Sequence, residues 1–280
     1  AASDVYKRQV YGQADFTDMV TFGDSLTHND LLWIYYSNPP DLYADDPMEA
    51  VFVKGSVSGE ELVNYAIAGS ESIHVDSQIA TYNIFRDLQL QDSATLFGFE
   101  IGGNDILNYR DLLAAYAPGE DPLADSVINR IINRMRANLA GLRYSHPDAQ
   151  FVLWTLPDVT LTPELWYELT APEIENVQAH TERVNWYIRR AGQLPFVIAV
   201  DVYALMQEII ADPPVIFGHQ LLPPPDYGDY DHFFADEIHP SAVGNALIAN
   251  EIIELINENW GDDIPVYTEE ELADLAHIPY

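Results

Sequence analysis

What most constrains this chain is the recurrence of short apolar, β-favouring runs separated by much longer stretches. They are Asp18 to Asp24 (DMVTFGD), Leu62 to Ile67 (LVNYAI), Ala94 to Ile101 (ATLFGFEI), Gln150 to Leu156 (QFVLWTL) and Phe196 to Val202 (FVIAVDV). Runs this short and this apolar suit strands buried on both faces, and the long intervals leave room for crossover helices, so parallel pairing is expected. Between them, Val127, Ile128, Ile131, Ile132, Met135, Leu139 and Leu142 recur at helical spacing up to His146-Pro147, where proline disfavours continuation. Residues from Pro172 to Ala191 and from Pro240 to Asn259 read the same way, the latter with Pro240 at the first helical position. Strands alternating with helices imply a doubly wound α/β sheet, which binds its ligands in the crevice beyond the carboxyl ends of its strands.

Two segments stand outside the alternation. One is a Pro- and aromatic-rich loop, Pro213 to Phe234; the other is a tail after Trp260. In the tail, Thr268 followed three residues later by Glu271 forms a capping box ahead of Leu272 and Leu275, which predicts one short helix. The opening stretch, Asp4 to Gln9, reads as non-native sequence and is set aside. The chain therefore divides into an N-terminal segment (1–15), one α/β domain (16–260) and a C-terminal tail (261–280), without internal repeats.

Composition narrows the partners. Acidic residues number 45 against 12 basic ones, a formal charge of −33, with Lys7 and Lys54 the only lysines. Such a surface repels nucleic-acid phosphates and anionic lipid, and it suits a protein kept dispersed in salt-rich water. With 48% hydrophobic residues spread along its length, the chain can bury a sizeable core. Cysteine is absent, so disulfides and thiolate metal sites are excluded. No apolar run is long enough to span a bilayer and no signal peptide is visible; a secreted or periplasmic location is the expectation.

Four segments carry chemistry. Ser25 follows the first expected strand in Phe22-Gly23-Asp24-Ser25-Leu26-Thr27, where a strand-to-helix turn exposes a side chain. A serine hydroxyl is a weak nucleophile and requires a base, which in turn requires an orienting acceptor. Asp236-Glu237-Ile238-His239-Pro240 offers that pair, a carboxylate three residues before a histidine. Gly102-Gly103-Asn104-Asp105 follows the third strand, with glycines that permit close backbone approach and an amide that can donate. Asn64 to Ser70 (NYAIAGS) follows the second strand and adds the N–H of Gly69. Taken singly, each also fits a capped surface turn or a plain glycine loop.

Taken together, in this order and each at a strand end, the four segments resemble the conserved blocks of the SGNH or GDSL hydrolase family over roughly Val20 to Asn259. The resemblance implies a serine ester hydrolase of esterase or lipase type, with a flavodoxin-like three-layer α/β/α fold around a five-stranded parallel sheet. It implies Ser25 as nucleophile, His239 and Asp236 as the rest of a triad, and an oxyanion hole formed by the Ser25 N–H, Gly69 and Asn104. Ser70 and Ala68 remain alternatives to Gly69, and Asp24 and Asp105 are read as structural, bonding their local turns.

The implied reaction is attack on an ester carbonyl and an acyl-enzyme, with no cofactor and no metal; the other histidines (His28, His74, His146, His180, His219, His232, His277) show no ligand spacing. His28 and His232 are candidates for lining the cleft. Phe217, Tyr227, Tyr230, Phe233 and Phe234, and Trp33, Tyr35 and Tyr36, are each open between walling an acyl or sugar pocket and simple packing. The resemblance implies a small-molecule or polysaccharide-linked ester as substrate. A carbohydrate O-acetyl esterase of the same family is the alternative, and a flavodoxin-like anion-binding module is the non-enzymatic one. G-x-S-x-G, Walker A and H-E-x-x-H patterns are missing, against the α/β-hydrolase, NTPase and zincin classes.

Overall fold

The computed structural model of the chain describes residues 12–27, 42 and 46–280. Each of the five apolar runs gives one strand, β2 starting one residue before its run: β1 (Asp18–Phe22), β2 (Glu61–Asn64), β3 (Leu96–Phe99), β4 (Gln150–Trp154) and β5 (Val197–Val200). They form one parallel sheet in the order β2-β1-β3-β4-β5, the flavodoxin-like order. The strands are shorter than the runs because the last residues of each run leave the ladder and build the loops above the sheet.

Side chains divide between the two faces with period two. Val20, Phe22, Phe97, Phe99, Phe151 and Leu153 enter the core on one face, whereas Met19, Leu96, Val152, Trp154, Ile198 and Val200 enter that on the other. The first face is covered by α2 (Val75–Asp87), α5 (Pro122–Ser145) and α6 (Ala171–Ala191), reached after the short α3 (Gly103–Asn108) and α4 (Arg110–Ala115). The second is covered by α1 (Pro47–Gly55) and α8 (Ala242–Trp260). Burial on both sides explains why the strands read as continuous apolar runs. The helix predicted around Val127 to Leu142 starts earlier, at Pro122, because Asp121 caps it, accepting from the N–H of Leu123 and Ala124.

Pro240 is not the first residue of its helix, contrary to the sequence expectation. Ser241 is the N-cap, its Oγ accepting the Gly244 N–H at 3.2 Å, and the helix begins at Ala242. A serine hydroxyl satisfies an orphan N–H that a proline before it cannot reach, and Pro240 instead bridges to Phe234 in extended conformation. The loop expected between Pro213 and Phe234 contains a small antiparallel pair, β6 (Val215–Ile216) and β7 (His219–Gln220), after α7 (Val202–Ala211). The tail forms α9 (Glu269–Leu275) with the Thr268/Glu271 capping box. Ala273, Ala276 and Ile278 of the tail pack with Phe233, Phe234 and Val243, so the tail backs the loop that leads into Asp236 and His239.

Candidate active site

Strand order reverses between β1 and β3, and the crevice at that point is built from the loops that follow these two strands. Gly23 carries the chain out of β1. A Cβ there would lie 2.3 Å from the Glu100 carbonyl oxygen and 2.3 Å from Thr27 Oγ1, so glycine alone lets the two strand ends approach this closely. Gln78 of α2 clamps the turn: its Oε1 accepts the Gly23 N–H at 3.0 Å and its Nε2 donates to the Gly23 carbonyl at 2.8 Å. Asp24 Oδ1 accepts the Leu26 N–H at 3.1 Å, an Asx turn that leaves Ser25 half-buried at the lip of the crevice.

The segment from Ala235 to Ser241 reaches the same lip from the far end of the chain. The Ala235 N–H donates to the His239 carbonyl at 2.9 Å, and the Ser241 N–H to the Phe233 carbonyl at 2.9 Å. Asp236 Oδ1 accepts the N–H groups of Ile238 and His239, both at 2.7 Å, while its Oδ2 lies 2.8 Å from His239 Nδ1. Across the ring, His239 Nε2 lies 2.8 Å from Ser25 Oγ. A carboxylate on Nδ1 favours the tautomer protonated there, which leaves Nε2 to accept the serine proton. Burial would raise the Asp236 carboxyl, but the bond and charge of His239 and the two N–H donors outweigh it and hold Asp236 below the ordinary carboxylate range.

Asn104 stands in the first turn of α3. Its Nδ2 donates to Asp24 Oδ2 at 3.0 Å and to the Ser70 carbonyl at 3.1 Å, so both amide hydrogens are engaged. Gly69 occupies the turn before Ser70 in the left-handed region, φ 76°, a conformation that suits glycine. It is exposed and is not among the residues walling the cavity beside Ser25. Asp105 differs from the expectation of a local turn bond. It accepts from Ser72 N at 2.6 Å, Ser72 Oγ at 2.9 Å and Arg130 at 2.8 Å, tying the loop after β3 to the loop after β2 and to α5.

Sequence reasoning missed Gln78, Arg130 and Glu100. Nothing in a glutamine or arginine within a helix announces a partner 55 residues away, as for Gln78 and Gly23, or 25 away, as for Arg130 and Asp105, and Glu100 sits inside an apolar run that reads as strand. A cavity of about 50 Å³ adjoins Ser25 and Asn104, walled by Trp154, Leu205, Met206, Phe233, Phe234 and Ile248. Phe233 and Phe234 thus serve both pocket and core. Phe217 stacks on Tyr280, Tyr230 stacks on His277, and the exposed Tyr227 hydroxyl donates to Glu237, so these three do not wall it. Neither does His232, whose carbonyl accepts from Ser241 Oγ at 2.7 Å. His28, Trp33, Tyr35 and Tyr36 lie outside the described residues, as do residues 1–9. Among the described residues, no three His, Asp or Glu side chains gather as a metal site would require.

A family model described as GDSL-like Lipase/Acylhydrolase matches residues 19–252. No match was found among curated protein sequences. Solved structures with a similar fold include the lipase Lip_vut3 from a goat rumen metagenome, at 14% identity and TM-score 0.59, covering 85% of this chain and 96% of that one. Axe2, an acetylxylan esterase from Geobacillus stearothermophilus, aligns as a catalytic mutant at 15% identity and TM-score 0.53, over 89% and 97% of the two chains. The extracellular lipase of Streptomyces rimosus aligns at 17% identity and TM-score 0.51, over 87% and 99%. At these identities the likeness is one of fold.

Proposed function

The chain belongs to the GDSL-like lipase/acylhydrolase family and is a carboxylic ester hydrolase, and from that premise we propose that Ser25, His239 and Asp236 carry the reaction. The supporting observation is the continuous relay from the Ser25 hydroxyl to His239 Nε2 at 2.8 Å and from Nδ1 to Asp236 at 2.8 Å. In this reading Ser25 Oγ attacks the ester carbonyl as His239 takes its proton. Asp236 stabilises the imidazolium, which then protonates the departing alkoxide. Water, deprotonated by His239, attacks the acyl-enzyme, and the Ser25 oxygen regains its proton as the acid leaves.

The oxyanion of each tetrahedral intermediate is assigned to the N–H groups of Ser25 and Gly69 and to Asn104 Nδ2. In the resting site the second Asn104 hydrogen rests on the Ser70 carbonyl, so the oxyanion would take over from that oxygen while the bond to Asp24 keeps the amide in place. Such exchange strengthens the contact only as charge develops, which is where donor strength lowers the barrier.

The cavity favours an aliphatic acyl group longer than acetyl. Its volume of about 50 Å³ exceeds the roughly 10–15 Å³ that admits one water-sized group, and its walls are almost wholly apolar. The carbohydrate O-acetyl esterase remains the second reading. Its fold is shared with Axe2, and a single methyl would leave most of this space empty. Activity on a p-nitrophenyl ester series that rises beyond acetate supports the first, whereas acetate-only activity with release from acetylated xylan supports the second. Export beyond the cytoplasm is proposed on the acidic, lysine-poor composition, and cell fractionation tests it. The central experiment is Ser25→Ala: the variant is expected to be inert toward p-nitrophenyl acetate while folding normally, a loss of about 10⁶-fold in kcat. Substantial turnover by that variant overturns the assignment.

A further inference from the structure

Two carboxyl groups lie buried side by side beneath the nucleophile; the reaction outlined above uses Asp24 only to hold Asn104, and Glu100 not at all. Phe22 pairs with Phe99 in register, and the Glu100 N–H donates to the Phe22 carbonyl at 3.1 Å, so Asp24 and Glu100 leave adjacent strands at the same level. Asp24 is 2% exposed and Glu100 is 1% exposed. The Asp24 oxygens each have an N–H donor, Leu26 at 3.1 Å and Asn104 Nδ2 at 3.0 Å. Only the backbone N–H and the carboxyl of Asp24 lie beside the Glu100 oxygens, and no donor from another described residue reaches them. Their hydrogen-bonding neighbour is the Asp24 carboxyl.

Two carboxyls can share a hydrogen bond only if one keeps its proton. Two adjacent carboxylates this deeply buried are also prohibitively costly. The donors decide which group is the acid. Asp24, with two N–H donors from outside the pair, is the better-stabilised anion; Glu100, with the Asp24 N–H alone, is the better neutral acid. Burial first, then the charge and bond of the Asp24 carboxyl, push Glu100 well above the usual carboxylate range, against the smaller opposing pull of the Asp24 N–H. Burial also raises Asp24, against the bonds from Glu100, Leu26 and Asn104 and the charge of His239.

We propose that Glu100 is a positioning residue: as a neutral carboxylic acid it donates its proton to Asp24, and so holds the Asp24–Asn104 bond that aims the oxyanion donor. The proposal rests on the role given to Asn104 above and adds a titrating support behind it. Loss of the Glu100 proton places two like charges together, drives the carboxyls apart, frees the amide, and sets a second negative charge beside the nascent oxyanion. His239, with Asp236 behind it, is the titratable group facing the pair across the crevice. On α3, Asp105 is neutralised by Arg130 from α5 at 2.8 Å and bonded to Ser72 from the loop after β2, and Gln78 of α2 is uncharged.

The test compares wild type, Glu100→Gln and Glu100→Leu by kcat and KM on a p-nitrophenyl ester from neutral to alkaline pH. Wild type should lose kcat on the alkaline side with KM little changed. Glu100→Gln still donates to Asp24 but has no proton to lose, so it should keep most of the neutral activity and hold it into the alkaline range. Glu100→Leu, without a donor, should lose about 10- to 100-fold in kcat at every pH. An alkaline limb identical in wild type and Glu100→Gln overturns the proposal, as does a Glu100→Leu variant with wild-type kcat.

A second measurement requires no variant and no activity. In wild-type protein labelled with ¹³C at the glutamate carboxyl carbons, one resonance should keep the chemical shift of a protonated acid at neutral pH. If every glutamate carbon titrates in the ordinary carboxylate range, the proposal fails, whatever Ser25→Ala does. Failure of the triad assignment and failure of this inference are therefore read by different instruments.

Discussion

Replacing Asp236 with Asn tests the relay at the point where geometry and charge separate. The amide oxygen can still accept the N–H groups of Ile238 and His239, which meet Oδ1 at 2.7 Å, so the loop keeps its shape. The amide NH₂ then faces His239 Nδ1, where Oδ2 stood at 2.8 Å. A donor opposite Nδ1 turns Nδ1 into an acceptor and moves the ring proton to Nε2, the nitrogen 2.8 Å from Ser25 Oγ that must take the serine proton. Two losses combine. The carboxylate–imidazolium attraction is worth about 4 kcal/mol at a separation of about 4 Å and an effective dielectric of about 20. Breaking the new amide–imidazole bond to recover the useful tautomer adds about 1 kcal/mol. Together they amount to about 5 kcal/mol, or roughly a 10⁴-fold fall in kcat with KM little altered. Steady-state hydrolysis of p-nitrophenyl esters measures it, with circular dichroism confirming the fold. A fall of less than about tenfold would mean that Asp236 does not set the tautomer, and the relay reasoning would be wrong. The same variant carries a stability signature. Asp236 is depressed in the folded state, so it stabilises the fold above the unfolded carboxylate value of about 3.9, and that contribution disappears as pH falls through the lower folded value. Thermal melts of Asp236→Asn should therefore decline less steeply with acid than those of wild type.

Asn104→Ala should lower kcat by about 10²- to 10³-fold, as removal of one oxyanion donor does, and an unchanged kcat would exclude the amide from that role. Ile278→Ala, in the tail that backs Phe233 and Phe234, should destabilise the fold by about 2–4 kcal/mol, read as a lower midpoint in urea; a midpoint equal to wild type would show that the tail is dispensable. Raising sodium chloride should raise Tm, because screening relieves the self-repulsion of a chain with formal charge −33; a Tm independent of salt would refute that account.

The legible features share one property, that a local rule suffices. Five apolar runs announced the strands because a parallel strand is buried on both faces, and the Thr268/Glu271 capping box announced α9 because its two bonds close within four residues. Ser25 and Asn104 were visible because each follows a strand end, where sheets of this class bind their ligands, and the Asp236/His239 pair because it stands just ahead of a helix start. Pro240 was misplaced since proline and serine both suit a helix start, and the choice between them lay with the Ser241 hydroxyl and with the bridge from Pro240 to Phe234.

Alone, the amino-acid order determined the α/β class, the strand positions and the residue types available for chemistry. Tertiary packing decided which of them meet. It set His239 against Ser25 across 214 positions of chain, turned Asp105 from its own loop to Ser72 and Arg130, and buried Glu100 against Asp24 with no donor from any other described residue. The physical reason is that periodicity and capping act within one element, whereas hydrogen-bond partnership and desolvation depend on distances through space, which no pattern along the chain encodes.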